Sequence, residues 1–395
     1  MTLSNISWPA PATARRRAPA RASRYAPRAW RFSAFTLAVS ALAFALTVAA
    51  PPSGAQSSAP SITEAKMMRT GTKFRADDDM QAVLDQLGAL GGKPIETLDP
   101  AEARKQPTPA DAVKALLTKF GRSTDPMQLV PGVTHADREI PGAAGSMPAR
   151  VYTPAGKGPF PVVVYYHGGG WVIADKEVYD GGARGLAQQA RAVVVSVDYR
   201  LAPEAKFPAA WDDALAAYKW VSANAASING DPARLALAGE SAGGNLAVST
   251  AVAAKAAGLP KPRAVIAVYP VAQTGDLNTE SYKDSEKAKP LNKPMIGWFV
   301  DKVFAKPGDA ADPRVDIVHA DLTGLPPVTL INAQIDPLRA DGALLEAALR
   351  KARVPVERRV FNGSAHEFFG AAAVVKDAKE AQAYAGQRLK LAFTK

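Results

Sequence analysis

From Met147 to the C-terminus, short apolar runs alternate with helix-forming runs, and that alternation leaves few folds open to the chain. The strand candidates are PARVYTP, PVVVYYH (Pro161–His167), AVVVSVDY (Ala192–Tyr199), RLALAGE, RAVIAVYP (Arg263–Pro270), PVTLINAQ (Pro327–Gln334) and VERRVFN. Several are continuous apolar runs, as suits a strand buried on both faces. Between them lie YDGGARGLAQQA, FPAAWDDALAAYKWVSANA, AGGNLAVSTAVAAKAAG and RADGALLEAALRKA, all helical in character. Alternating β and α elements predict an α/β fold, with a mostly parallel central sheet and helices on both faces. Such sheets carry functional residues in loops beyond the C-terminal strand ends.

Two regions stand apart from the alternation. Ahead of it, DDDMQAVLDQLGAL sets Met80, Val83, Leu84, Leu87 and Leu90 at helical spacing behind an acidic start. LDPAEARKQ and TPADAVKALLTKF read as further helices; in the second, Thr108 is the candidate N-cap and Pro109 the first helical residue. Later, Thr274–Asp321 is a long polar connection carrying MIGWFVDKVF, more than a loop needs. Residues 56–135 are therefore expected to form an N-terminal helical cap region. Residues 136–395 form the main α/β domain, with a cap insertion near 274–321.

The first 55 residues contain Arg15, Arg16, Arg17, Arg21, Arg24, Arg28 and Arg31 and no acidic residue. An uncharged run, Phe32–Ala50, follows. Then comes PPSGAQSS, where Ser53 and Ala55 fit a small-x-small cleavage site before Gln56. Residues 1–55 thus read as a signal peptide, or as an uncleaved membrane anchor, because the 19-residue run approaches a membrane span. The arginines hold the N-terminus in the cytoplasm, so either outcome exports the rest, to a periplasm or outside the cell. Initiation at Met67 would instead give a cytosolic product. The net charge of +11 falls to +4 without those arginines, so it does not argue for a nucleic-acid partner. With no cysteine, disulfides, thiolate zinc sites and a cysteine nucleophile are excluded.

The chemistry concentrates at three places. LALAGESAGGNLAV (Leu235–Val248) contains a G-x-S-x-G sequence around Ser241, between a strand-like and a helix-like half. On a strand–turn–helix this forms a nucleophile elbow, with the hydroxyl thrust upward and an oxyanion favoured by the N–H groups of the following helix. YYHGGGW (Tyr165–Trp171) follows a strand, and its glycines let backbone N–H groups approach a reacting carbonyl. Two of those N–H groups, with that of Ala242, would hold the oxyanion. A phosphate loop would want Lys-Ser/Thr after the glycines, and none is there.

A serine needs a base. Of the four histidines, His167 leads the glycine loop, His135 precedes the alternating core and His319 lies in a polar stretch. His366, in FNGSAHEFFG, follows the last strand and so lies where a base must lie. Asp336 follows the penultimate strand and precedes His366 by 30 residues, giving the order Ser, Asp, His. Asp341 is the alternative acid; it sits within the next helix, where it would stabilise the N-terminal turn. Trp171, Trp298 and Phe299 are candidate pocket residues, against the plainer reading that such aromatics fill the core.

HGGGW, DYRLAPE (Asp198–Glu204), FPAAWDDA, GESAGGN and DPLRADG, then the His366 loop, occur in an order that resembles the hormone-sensitive-lipase-like group of α/β-hydrolases, the α/β-hydrolase fold-3 esterases. The resemblance runs from about Met147 to the C-terminus. It implies an α/β-hydrolase fold under a helical canopy, oxyanion donors at Gly169, Gly170 and Ala242, and structural roles for DYRLAPE and FPAAWDDA. Two departures stand out: Glu240 precedes the serine where Asp is usual, and GSAHEFF replaces Gly-Met-x-His-Gly-Phe.

The expected function is a serine carboxylesterase acting on short- to medium-chain esters through an acyl-enzyme. Ser241 is the nucleophile, His366 the base and Asp336 its orienting acid, with a small-molecule ester as partner and no cofactor or metal. The same machinery would suit amides, lactones or acetylated sugars. A ligand-binding use of the fold is the remaining alternative, against which stand the three triad residues.

Overall fold

A computed structural model describes residues 73–394, so the expected signal or anchor segment, 1–55, lies outside the described residues. Among the described residues eight strands form one sheet in the order β1-β2-β4-β3-β5-β6-β7-β8. They are β1 (Val133–Gly142), β2 (Gly145–Pro154), β3 (Phe160–Tyr166), β4 (Val193–Val197), β5 (Gly230–Glu240), β6 (Val265–Val268), β7 (Val328–Ile335) and β8 (Val356–Ala365). β2 runs antiparallel to both β1 and β4, and the pairs from β4 through β3, β5, β6 and β7 to β8 are parallel. The apolar runs explain the centre: every residue of β3, β4 and β6 is buried.

β1 is an addition to the expected strands. Its residues from Thr134 to Glu139 are all exposed, so it carries no apolar run to read. Its partner β2 holds it through a continuous register, from Val133 opposite Pro154 to Gly142 opposite Gly145, and through the Arg150 pair with Asp137 at 2.6 Å. The sheet therefore begins at Val133, just inside the region expected to belong to the cap.

The longer helices are α1 (Asp78–Ala89), α2 (Pro109–Lys119), α3 (Asp180–Ala190), α4 (Ala209–Asn224), α5 (Ala242–Ala256), α6 (Lys293–Val303), α7 (Arg339–Lys351) and α8 (Lys376–Phe393). Leu186 and Ala187 of α3 and Ala381, Ala385 and Leu389 of α8 share a cluster with Val163, Tyr165, Val194, Ala236 and Ala238. Those strand residues alternate along the chain, so they mark one face of the sheet. α4 and α5 pack on each other and on β5. α2 begins as the sequence predicts: the Thr108 hydroxyl accepts from the Asp111 N–H, and the Asp111 carboxylate accepts from the Thr108 N–H.

The motifs without chemistry of their own interlock. Asp213 of FPAAWDDA is 2% exposed and accepts from the Arg200 side chain of DYRLAPE at 2.7 and 3.0 Å, and from the N–H groups of Arg200 and Ala143. Trp211 Nε1–H donates to Asn245 Oδ1 at 3.0 Å, tying the same segment to α5. Arg104, ahead of the sheet, pairs with Glu204 at 2.7 Å and donates to the Val172 and Ala202 carbonyls. Asp213→Ala removes the buried acceptor that these partly exposed donors share. It is expected to cost about 3 kcal/mol, read as a lowered urea midpoint; a midpoint unchanged from the parent would refute the assignment.

Candidate active site

Ser241 joins β5 to α5 with φ 56° and ψ −118°. A side-chain-bearing residue held there costs about 1–3 kcal/mol and persists because its surroundings dictate it. The Ser241 N–H donates to Val268 O of β6 at 2.9 Å, and its carbonyl accepts from the Val271 N–H at 3.2 Å. The flanking glycines have a steric cause. A Cβ on Gly243 would overlap the carbonyl oxygens of Tyr166 and His167, and one on Gly239 would overlap the Gly243 carbonyl. The first turn of α5 thus lies directly on the end of β3.

Strand register brings the other two residues together. Ile335 of β7 pairs with Ala365 of β8, after a shift in register beyond Ala333. Asp336 and His366 are the next residue on each strand, so they leave the sheet side by side. His366 Nδ1 lies 2.8 Å from Asp336 Oδ2, and His366 Nε2 lies 3.0 Å from Ser241 Oγ. Asp336 Oδ1 accepts from the Leu338 N–H at 2.8 Å, so both carboxylate oxygens are engaged. Ser241, Asp336 and His366 are 5%, 0% and 2% exposed. The tautomer with the proton on Nδ1, facing the carboxylate, leaves Nε2 free to accept from the serine hydroxyl.

Burial pulls the His366 pKa down, but the Asp336 charge and hydrogen bond, with Glu367 and Glu240 nearby, outweigh it and leave the pKa above its ordinary value. Two carboxyls escaped sequence reasoning. Glu240 is buried between the hydroxyls of Tyr165 and Tyr269, which both donate to it. Its pKa is pushed up to about 8, first by burial and then by the charge of Glu367. Glu367, the residue after His366, accepts from Tyr179 Oη–H at 2.5 Å and sits 3.9 Å from His366 Nε2; burial raises its pKa too. The departures GESAG and HEFF mark both positions in the sequence, but only the folded chain shows that they flank one histidine.

A cavity of about 890 Å³ opens on Ser241 and His366. Gly169 and Gly170 line it, both at positive φ (88° and 59°). A Cβ on Gly170 would run into the Phe299 ring. Ala242 begins α5 and is fully buried. The outer wall comes from segments before the sheet, such as Leu87 and Pro107, and from the later insertion through Leu291, Met295 and Phe299. These two segments touch where Trp298 Nε1–H donates to Leu98 O at 3.1 Å.

The remaining candidates lie elsewhere. His167 is buried, stacks on Tyr199 at 4.3 Å between centroids and has its pKa lowered first by burial. His135 meets Arg184 at 3.1 Å on the β1 side, and His319 pairs with Asp316 on the surface. Asp341 does not act chiefly on its own helix. Its Oδ2 accepts from the N–H groups of Ala272 and Gln273 at 2.9 and 3.3 Å, holding the segment after β6. Of the three aromatics, Phe299 lines the cavity; Trp171 packs on Trp211 instead, with centroids 4.9 Å apart and rings tilted by 31°, and Trp298 makes the bond to Leu98.

A mostly parallel sheet with a serine on an elbow, and an acid and a histidine at the following strand ends, defines an α/β-hydrolase. The family model described as the alpha/beta hydrolase fold matches residues 163–370, and the chain belongs to this family, the α/β-hydrolase fold-3 esterases. It is 38% identical over 281 residues to Carboxylesterase NlhH of Mycobacterium tuberculosis, covering 69% of this chain and 88% of that one. It is 30% identical over 312 residues to an ethyl acetate hydrolase of Pseudomonas putida, covering 76% and 94%. A hyperthermophilic esterase from Pyrobaculum calidifontis superposes with a TM-score of 0.73 at 35% identity, covering 80% of this chain and 99% of that one.

The raised Glu240 pKa has a consequence for stability. The folded chain keeps a proton that the unfolded chain releases, so this contribution is whole below the ordinary value of 4.5 and is lost as pH rises through about 8. Glu240→Gln needs no proton. It is expected to make the fall in denaturation midpoint between about pH 5 and 9 shallower; an identical slope in both proteins would count against the buried acid.

Proposed function

We propose that this chain hydrolyses carboxylic esters through an acyl-enzyme on Ser241, with His366 as base and Asp336 as its orienting partner. The observation that carries the reading is the unbroken line from Ser241 Oγ to His366 Nε2 (3.0 Å) and from His366 Nδ1 to Asp336 Oδ2 (2.8 Å), opening on a cavity. The esterases among its relatives support the same chemistry, and the chain is a carboxylic ester hydrolase of small-molecule substrates.

The steps follow from the geometry. His366 Nε2 takes the serine proton as Oγ bonds to the carbonyl carbon, and the carbonyl π pair moves onto oxygen. The N–H groups of Gly169, Gly170 and Ala242 receive that oxyanion; the positive φ of the glycines and the helix start at Ala242 support this assignment. The imidazolium forms against the Asp336 charge, then protonates the departing alkoxide. Water repeats the sequence and releases the acid.

The cavity of about 890 Å³ has room for short- to medium-chain esters. Residues 73–129 and 274–321 serve as its cover in this reading, with Arg104 anchoring the first and α6 the second. Ser241→Ala is expected to lower turnover of p-nitrophenyl acetate by at least about 10⁴-fold with an unchanged circular dichroism spectrum; wild-type turnover in that variant would overturn the mechanism.

We also propose that the protein is exported. The arginines of the first 31 residues, the uncharged Phe32–Ala50 run and the small residues before Gln56 support this. N-terminal sequencing of the protein recovered outside the cytoplasm is expected to begin at Gln56, or at the native start if the segment anchors the chain. Recovery only from the cytosol would exclude export.

A further inference from the structure

We propose that the Glu367 carboxylate orients the water that releases the acyl group from Ser241. The inference rests on the reading of Ser241 and His366 as nucleophile and base. Three observations lead to it. Glu367 Oε1 stands 3.9 Å from His366 Nε2, the atom that must take the proton of the attacking water. Glu367 lines the same cavity as Ser241 and His366, with its side chain 20% exposed. Tyr179 fixes the carboxylate through a 2.5 Å hydrogen bond from its hydroxyl.

The spacing suits one water. Two partners of a single water oxygen, each at a hydrogen-bond distance of about 2.8 Å, lie roughly 3.9 to 4.5 Å apart as the angle at that oxygen opens from about 90° to near tetrahedral, so the observed spacing sits at the tight end. A water seated between Nε2 and Oε1 gives one hydrogen to each, which leaves its lone pairs free for attack. In the step itself the water oxygen bonds to the acyl carbon, and Nε2 takes one of its protons. The tetrahedral intermediate then collapses, the Oγ–carbon bond breaks and Nε2 returns the proton to Oγ. The second hydrogen stays on the incoming oxygen, held by Glu367, and leaves with the acid product. Glu367 accepts a hydrogen bond and is not itself protonated.

The backbone agrees with a chosen side chain. Glu367 sits at φ 67° and ψ 7°, where glycine would be free of strain. A charged residue placed there offsets its conformational cost through what its side chain does. Glu240 differs: it is sealed among Tyr165 and Tyr269 and does not line the cavity.

An alcohol nucleophile provides the test, because methanol has one hydroxyl hydrogen to give Nε2 and none left for Glu367. Acyl transfer from p-nitrophenyl acetate to water and to methanol is compared by measuring acetate against methyl acetate on the full chain. Glu367→Met, which keeps the bulk and removes the acceptor, is expected to lower the water-to-methanol ratio about tenfold and to produce a burst of p-nitrophenol as deacylation becomes limiting. Glu367→Gln, with a neutral acceptor, should fall between. If the methionine variant does not fold, Glu367→Gly replaces it, since the backbone there suits glycine, and the same fall is expected. Equal loss of both routes at a wild-type ratio overturns the proposal, because the carboxylate would then act only through its charge on His366. Ser241→Ala separates the two ideas: persistent turnover there defeats the underlying mechanism, whereas an inactive serine variant with an unchanged ratio at position 367 defeats this inference alone.

Discussion

The first turn of α5 lies so close to the end of β3 that no Cβ fits at Gly243 between it and the Tyr166 and His167 carbonyls. That approach sets the rest of the site. It turns Ser241 into the left-handed region, fixes its hydroxyl above the sheet and places the start of α5 beside the glycine loop that leaves β3. The glycine loop and the elbow thus meet at one place, where Gly169, Gly170 and Ser241 line a single cavity. The strain at Ser241 is offset by its N–H bond to Val268 and by the burial of the whole α5 face.

The second organising force is electrostatic. His366 is buried among three carboxyl groups, Asp336, Glu240 and Glu367. Burial alone favours the neutral ring, and the carboxyl groups favour the charged one; the charged partners prevail. A positive charge on the His366 ring is therefore favoured by its surroundings in spite of its burial. The cost appears on the acids. Glu240 and Glu367 are held above the ordinary carboxylate range, and three tyrosine hydroxyls supply their hydrogen bonds.

The cavity wall is built from chain remote in sequence. Arg104 grips Glu204 and the carbonyls of Val172 and Ala202, and Trp298 grips Leu98. Behind it, Asp213 clasps Arg200 and Trp211 clasps Asn245, so two of the motifs without reacting groups position the loops that carry them. The site depends on this frame as much as on its three polar side chains.

Much of this was legible before folding. Apolar runs marked the central strands because burial on both faces demands them, and G-x-S-x-G marked the elbow because only small residues pass there. Chain order and strand-end placement single out Ser241, Asp336 and His366, and the folded chain sets the three within hydrogen-bond distance in series. β1 was not legible, since its exposed residues have no apolar pattern and its pairing with β2 defines it. Asp341 sits in the first turn of its helix, where the sequence predicts a local role, yet it holds the backbone after β6 across space. Glu240 and Glu367 showed only as unusual letters in known motifs. The sequence thus determined which segments are buried and where sharp turns fall, because those depend on side-chain size and polarity read locally. Tertiary structure alone decided which charges share one interior, because burial and distance between remote residues exist only once the sheet has closed.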